Sequence, residues 1–236
     1  RRGSFRKVLA IWGVALLTLV AAVQGDLARR KAQVLATPRA ELSRWGRHLV
    51  VGYRDVEELK TLLERTELGG VYITARNVRG RSLQEVRREI DSLQAIQRRH
   101  GGKPLWVMAD QEGGKVSRLS PPLPPLATLA DVARGERWRA AVAEHARRSA
   151  RGLRDLGVNM NLAPVVDLRT DLDRGLDLHT CLHERAIAAD PQRVADVAAL
   201  YAEILSRHGV MATAKHFPGL GYVAQDTHHS LGWLPR

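Results

Sequence analysis

The 236 residues carry 37 Lys and Arg against 25 Asp and Glu, a formal net charge of +12, with 44% hydrophobic and 26% charged residues. That balance excludes a disordered or fibrous chain and leaves room for one substantial hydrophobic core. A single cysteine, Cys181, excludes an internal disulfide, and arginines spread through helical segments without interleaved aromatics argue against nucleic acid as a partner.

The chain opens with "RRGSFRKVLAIWGVALLTLVAAVQGDLARRK", a basic stretch, then sixteen apolar or small residues from Val8 to Val23, then polar residues. This is the layout of a secretory signal, and the apolar run also approaches the length that crosses a bilayer. Residues 1–36 are therefore expected to be a signal peptide or membrane anchor with a linker. Either reading sends residues 37–236 across a membrane, to the periplasm or the exterior. The first residue is Arg1 rather than Met.

Beyond Pro38, short apolar runs alternate with amphipathic segments. "RHLVVGYR" (47–54), "GGVYIT" (69–74), "PLWVMAD" (104–110), "VNMNLAPVVD" (158–167) and "VMATAKHF" (210–217) read as five strands. Helices are expected between them: one through Leu59, Leu62 and Leu63, one through Leu83, Val86, Ile90, Leu93 and Ile96, one from about Trp138 to Leu156, and one from Pro191 to Gly209 with Asp190 as its N-cap. The prolines of "SPPLPPLATL" (120–129) mark an extended loop.

Strands that alternate with crossover helices pair in parallel, which makes the fold α/β. Polar, reactive side chains fall at the C-terminal ends of successive strands, Asp110, Gln111 and Glu112 after the third, Asp167 after the fourth, Lys215 and His216 after the fifth. That repetition points to a (β/α)8 TIM-type barrel of which about five βα units are present; a doubly wound sheet would gather its ligand groups at one switch point. No glycine-rich phosphate loop follows the first strand.

The stretch "ATAKHFPGLGYVAQDTHHSL" (212–231) concentrates Lys215, His216, Asp226, His228 and His229 among glycines and a proline. Cys181 lies between His179 and His183 in "LHTCLHER", but no second ligand group at a zinc-type spacing accompanies them, so the expectation is a polar loop and no metal. Residue type alone leaves Asp110 as a loop cap and Arg185 as a surface ion-pair partner.

"GGVYIT", "ADQEGGKVSRL", "NLAPVVDL", "ERAIAADPQRV", "AKHFPGLG" and "DTHHSL" stand in the order and approximate spacing seen in glycoside hydrolase family 3. Residues 40–232 specifically resemble the bacterial β-N-acetylhexosaminidases of that family. The resemblance implies a retaining glycosidase that releases terminal β-linked N-acetylglucosamine, with His228 as acid/base and Asp226 orienting it. A histidine titrates near neutrality, so it can give a proton to the departing oxygen and later take one from water. It further implies that Asp110, Arg185, Lys215 and His216 bind sugar hydroxyls through charged hydrogen bonds, that Gly219 and Gly221 let the loop turn over the sugar, and that no cofactor is required. His229 is expected to point elsewhere.

One departure is visible. The family loop often carries a histidine where this chain has Leu220, so a loop-positioning hydrogen bond is expected to be missing. The nucleophilic aspartate of the family comes from a later strand. No residue here takes that role, and Asp167 matches the fourth-strand position instead. Five strands cannot close an eight-stranded barrel, so the chain is expected to be a fragment of a longer enzyme, inactive alone and monomeric when whole. A family 3 β-glucosidase and a noncatalytic sugar- or envelope-binding protein are the alternative readings.

Overall fold

The structure is a computed structural model and describes residues 2–171, 180–224, 227, 229 and 231–233. Helix α1 (Arg2–Ala36) runs unbroken and is long and apolar enough, by length and composition, to cross a membrane. Its apolar side chains, Ile11, Trp12, Leu16 and Leu17 among them, are exposed. The polar stretch after Val23, expected as a linker, continues the same helix. There Asp26 accepts from Arg29 and Arg30 one turn on, pairings that support an exposed helix.

Helix α2 (Arg39–Gly46) leads into strand β1 (Val50–Gly52), helix α3 (Val56–Arg65), strand β2 (Gly70–Tyr72), helix α4 (Ala75–Val78) and helix α5 (Leu83–Arg99). Asp55 caps α3 by accepting from the Glu57 amide, and Ser82 and Glu85 close a reciprocal capping box on α5. Strand β3 (Trp106–Ala109) is followed by an antiparallel hairpin, β4 (Gln111–Gly113) and β5 (Val116–Ser117), and then by helices α6 (Leu129–Val132) and α7 (Trp138–Leu156). Gly157, at φ +89°, ends α7 in the left-handed conformation that suits glycine. Strand β6 (Met160–Asn161), helix α8 (Leu182–Arg185), helix α9 (Pro191–Arg207) and strand β7 (Met211–Ala212) complete the order. Asp190 caps α9 from the amides of Gln192 and Arg193, with Pro191 at the first helical position.

The main sheet has the order β1-β2-β3-β6-β7, every pair parallel. Spatial order equals chain order with no reversal. A doubly wound sheet must reverse at its switch point; a barrel wall does not. The described strands therefore form consecutive units of a TIM-type barrel wall, without closure into a ring.

Register separates the two faces of this wall. Val51, Val71 and Val107 share one row and pack into the core with α3, α5, α7 and α9. The alternate rows hold Val50, Gly70 and Trp106, then Gly52, Tyr72, Met108, Met160 and Met211, and Val50, Trp106 and Met211 of these are exposed. Gly70 is required where it stands: a Cβ there would lie 2.4 Å from the Trp106 carbonyl oxygen.

Two differences from the sequence reading bear on the site. The hairpin β4–β5 was not anticipated. The fourth and fifth strands are also shorter than expected, because Pro164 has no N–H to give the ladder; pairing resumes where Val166 donates to the Lys215 carbonyl at 2.7 Å and Lys215 to the Pro164 carbonyl at 3.0 Å.

Candidate active site

The C-terminal ends of β2, β3, β6 and β7 deliver one side chain after another to the same place. Tyr72 closes β2, and its hydroxyl donates to Asp110 Oδ2 at 2.6 Å. Asp110 stands one residue past β3, and its other oxygen accepts from Lys215 Nζ at 2.5 Å. Lys215 follows β7 and reaches back to Glu112 Oε1 at 2.6 Å. Arg185, the last residue of α8, grips the same carboxylate with both edges: Nε to Oε2 at 2.9 Å and Nη2 to Oε1 at 2.7 Å. Its Nη1 donates to the Thr180 carbonyl. Arg185 is thus an ion-pair partner, but a sequestered one, with side-chain exposures of 11% for Arg185 and 8% for Glu112.

The hairpin makes this possible. Glu112 neighbours Asp110 closely in sequence, and the turn after β3 brings both carboxylates to the Lys215 ammonium. Gly113 and Gly114, at φ +104° and +58°, turn the chain from β4 into β5, and a Cβ on Gly113 would meet the Ala127 carbonyl at 2.1 Å. Asn161 of β6 fixes the turn from below: its side chain accepts from the Gln111 amide at 3.0 Å and donates to the Gln111 carbonyl at 2.9 Å. The Gln111 side chain in turn accepts from the Leu119 amide and donates to Ser120.

Asp167 organises the other side. Its Oδ2 meets His216 Nδ1 at 2.6 Å and accepts from the His216 amide at 3.1 Å, while its Oδ1 accepts from the Leu220 amide at 2.5 Å. At position 220, where a side-chain hydrogen bond was expected to be missing, the backbone amide ties the loop to Asp167. Gly219 takes φ +127°, and Gly221 passes so close to Leu168 that a Cβ would lie 2.8 Å from its carbonyl oxygen. A cleft of about 430 Å³ opens beside Asp167 and His216, with Phe217, Pro218 and Tyr222 on its wall.

Electrostatics follow from this packing. Burial pushes the Asp110 carboxyl upward, but hydrogen bonds from Lys215 and Tyr72 outweigh it and hold the group below the usual carboxylate range. Asp167 is likewise held low, burial being overcome by His216 and the Leu220 amide. Burial and the bond to Asp110 push the Tyr72 phenol up to about 12. Burial works against the Arg185 charge, and Glu112 more than restores it.

Of the residues singled out in the sequence, Asp110, Lys215 and Arg185 join one ionic cluster through Glu112, while His216, next to Lys215 in the chain, pairs with Asp167. Asp226 and His228 lie outside the described residues. Glu112 stood among the strand-end residues of the sequence, but its joining of Arg185 to Lys215 was not foreseen, nor was Asp167 as the support of the loop. Arg118, whose charge acts on both Asp110 and Tyr72, was also passed over.

The glycosyl hydrolase family 3 N-terminal domain matches residues 29–236. A β-hexosaminidase of Xanthomonas oryzae is 36% identical over 171 residues, 70% of this chain and 47% of that protein. The β-hexosaminidase LpqI of Mycobacterium tuberculosis is 32% identical over 195 residues, 83% of this chain and 46% of its own. Among solved structures, a glycoside hydrolase family 3 β-N-acetylglucosaminidase from Paenibacillus superposes with a TM-score of 0.71 at 27% identity, over 81% of this chain and 35% of that one. The chain spans about half the length of the curated relatives it matches. With the parallel barrel wall and the order of its motifs, this match makes the chain a member of glycosyl hydrolase family 3, through the N-terminal domain of that family.

Proposed function

We propose that this chain supplies the sugar-binding wall and the acid/base loop of a retaining β-N-acetylhexosaminidase acting on terminal β-linked N-acetylglucosamine. The observation that carries the reading is the convergence of Asp110, Arg185, Lys215 and His216 at one end of the strands, where charged donors and acceptors can address several hydroxyls of one sugar. Relatives named β-hexosaminidase support the substrate class.

In this reading Asp110, Lys215, His216 and Arg185 hold the sugar. His228, oriented by Asp226, protonates the leaving oxygen and then deprotonates the water that releases the product. Asp110, Glu112 and Asp167 each already hold two or more donors. That suits binding and positioning better than attack on the anomeric carbon, and the nucleophile is, as the family resemblance implies, an aspartate of a later strand. Residues 1–36 act as an export signal or membrane anchor, which places the enzyme beside envelope or extracellular glycans. The working enzyme is taken to be a monomer.

The test is hydrolysis of a chromogenic β-N-acetylglucosaminide by the full-length product of the reading frame, beside its His228→Ala variant. Turnover that falls by at least about 10²-fold in the variant supports the reading. A folded product that cleaves only a β-glucoside moves the assignment to the β-glucosidases. One that binds N-acetylglucosamine without cleaving either substrate moves it to sugar binding alone.

A further inference from the structure

Glu112 stands apart from the other acids of the site. It is nearly sealed from solvent, at 8% side-chain exposure against 22% for Asp110, and one of its oxygens, Oε1, is shared between Arg185 Nη2 at 2.7 Å and Lys215 Nζ at 2.6 Å. Two cations that meet a common oxygen at those distances lie within a few ångströms of each other. Their mutual repulsion in a partly dehydrated site is severe unless an anion sits between them. Arg185 comes from α8 and Lys215 from the end of β7, elements with no strand pairing in common. Glu112 is the group that joins them. Asp110 shares Lys215 and gives its second oxygen to Tyr72.

We propose that Glu112 is a positioning residue for sugar binding: its carboxylate holds Arg185 and Lys215 together as one paired-cation donor set, and substrate affinity depends on it although it does not touch the sugar. This rests on the glycosidase reading above. A carboxamide cannot replace it, because a glutamine offers one accepting oxygen and turns an NH2 toward one of the two cations. An aspartate keeps the charge but is a methylene shorter, and reaches one cation rather than both.

The experiment uses the full-length product and compares wild type, Glu112→Gln, Glu112→Asp, Lys215→Met and the double variants that join each Glu112 substitution to Lys215→Met. Two quantities are read on each: KM and kcat on the chromogenic β-N-acetylglucosaminide, and the Kd of free N-acetylglucosamine by calorimetry. Thermal midpoints identify the variants that fold. The expected result is a rise of about 10-fold or more in KM and Kd for Glu112→Gln, with kcat within about 3-fold, and partial recovery in Glu112→Asp. In the Lys215→Met background the same substitution should change Kd by less than about 3-fold, because one of the two charges to be held together is gone. If Glu112→Gln does not fold, Glu112→Asp carries the same comparison with a smaller expected rise.

A folded Glu112 variant with unchanged Kd overturns the proposal. So do effects of the Glu112 and Lys215 substitutions that simply multiply. A wild type that binds the sugar without cleaving it would sink the hydrolase reading and leave Glu112 tested through Kd; one that neither binds nor cleaves would overturn both.

Discussion

Two buried polar clusters lie one above the other at the ends of β3 and β6, and they satisfy their groups in opposite ways. The upper one is ionic, running from Tyr72 through Asp110, Lys215 and Glu112 to Arg185. The lower one is neutral: the Asn161 side chain donates to the Tyr201 hydroxyl at 3.0 Å, Ser149 lies 3.3 Å from the same hydroxyl, and the His145 ring sits 6.2 Å from the Tyr201 ring. Charged groups that keep some exposure, as Asp110 and Lys215 do at 22% and 16%, remain able to exchange a partner for a ligand. Neutral groups sealed under helices serve the fold, since leaving any of them unpaired is penalised with no compensating contact. On the proposed function, the difference separates the groups that recognise the sugar from those that support the fold.

Three substitutions press on that division. The largest effect is expected from Asp110→Ala, which strips Lys215 of one anion and Tyr72 of its acceptor. kcat/KM of the full-length product should fall by about 10²- to 10³-fold, with a much smaller change in thermal midpoint. A loss of folding instead of function would erase the distinction between the clusters.

The second substitution lies in the neutral cluster. Burial, with the nearby Arg148 charge, lowers the His145 imidazole from its ordinary 6.5 to about 4. The native state then stays neutral while the unfolded chain takes up a proton, so stability is full above pH 6.5 and declines as pH falls toward 4, by on the order of 3 kcal/mol. Replacing His145 with Gln should flatten that part of the curve, as denaturant titrations between pH 7 and 4 would show. An unchanged slope would mean the ring titrates freely. The smallest effect belongs to Ser149→Ala. Tyr201 keeps its bond from Asn161, so a loss of about 1 kcal/mol or less is expected in the same titration.

Much of this architecture is written in local pattern. The apolar spacing of Leu83 to Ile96, the Asp190-Pro191 start of α9 and the Gly157 stop of α7 each follow from a few adjacent residues, and the observed elements agree with them. Asp110 and Lys215 were legible as strand-end residues for the same reason. Their contact, across 105 positions of sequence, was not. Glu112, two residues after Asp110, falls on the same face of an extended strand, but its contact with Arg185, across 73 positions, is not local. The neutral cluster joins Ser149, Asn161 and Tyr201 across 40 and 52 positions, a pairing that periodicity does not carry. Asp226 and His228 were named from motif alone, and their geometry lies outside the described residues.

Asp167 grasps the loop through the His216 ring and through two amides, those of His216 and Leu220. A grip on main chain is indifferent to which side chain hangs from it. In a saturation library, position 220 should therefore tolerate wide variation and reject proline, which has no N–H to offer, whereas position 167 should admit almost nothing but aspartate. Drift at one site is underwritten by constancy at the other.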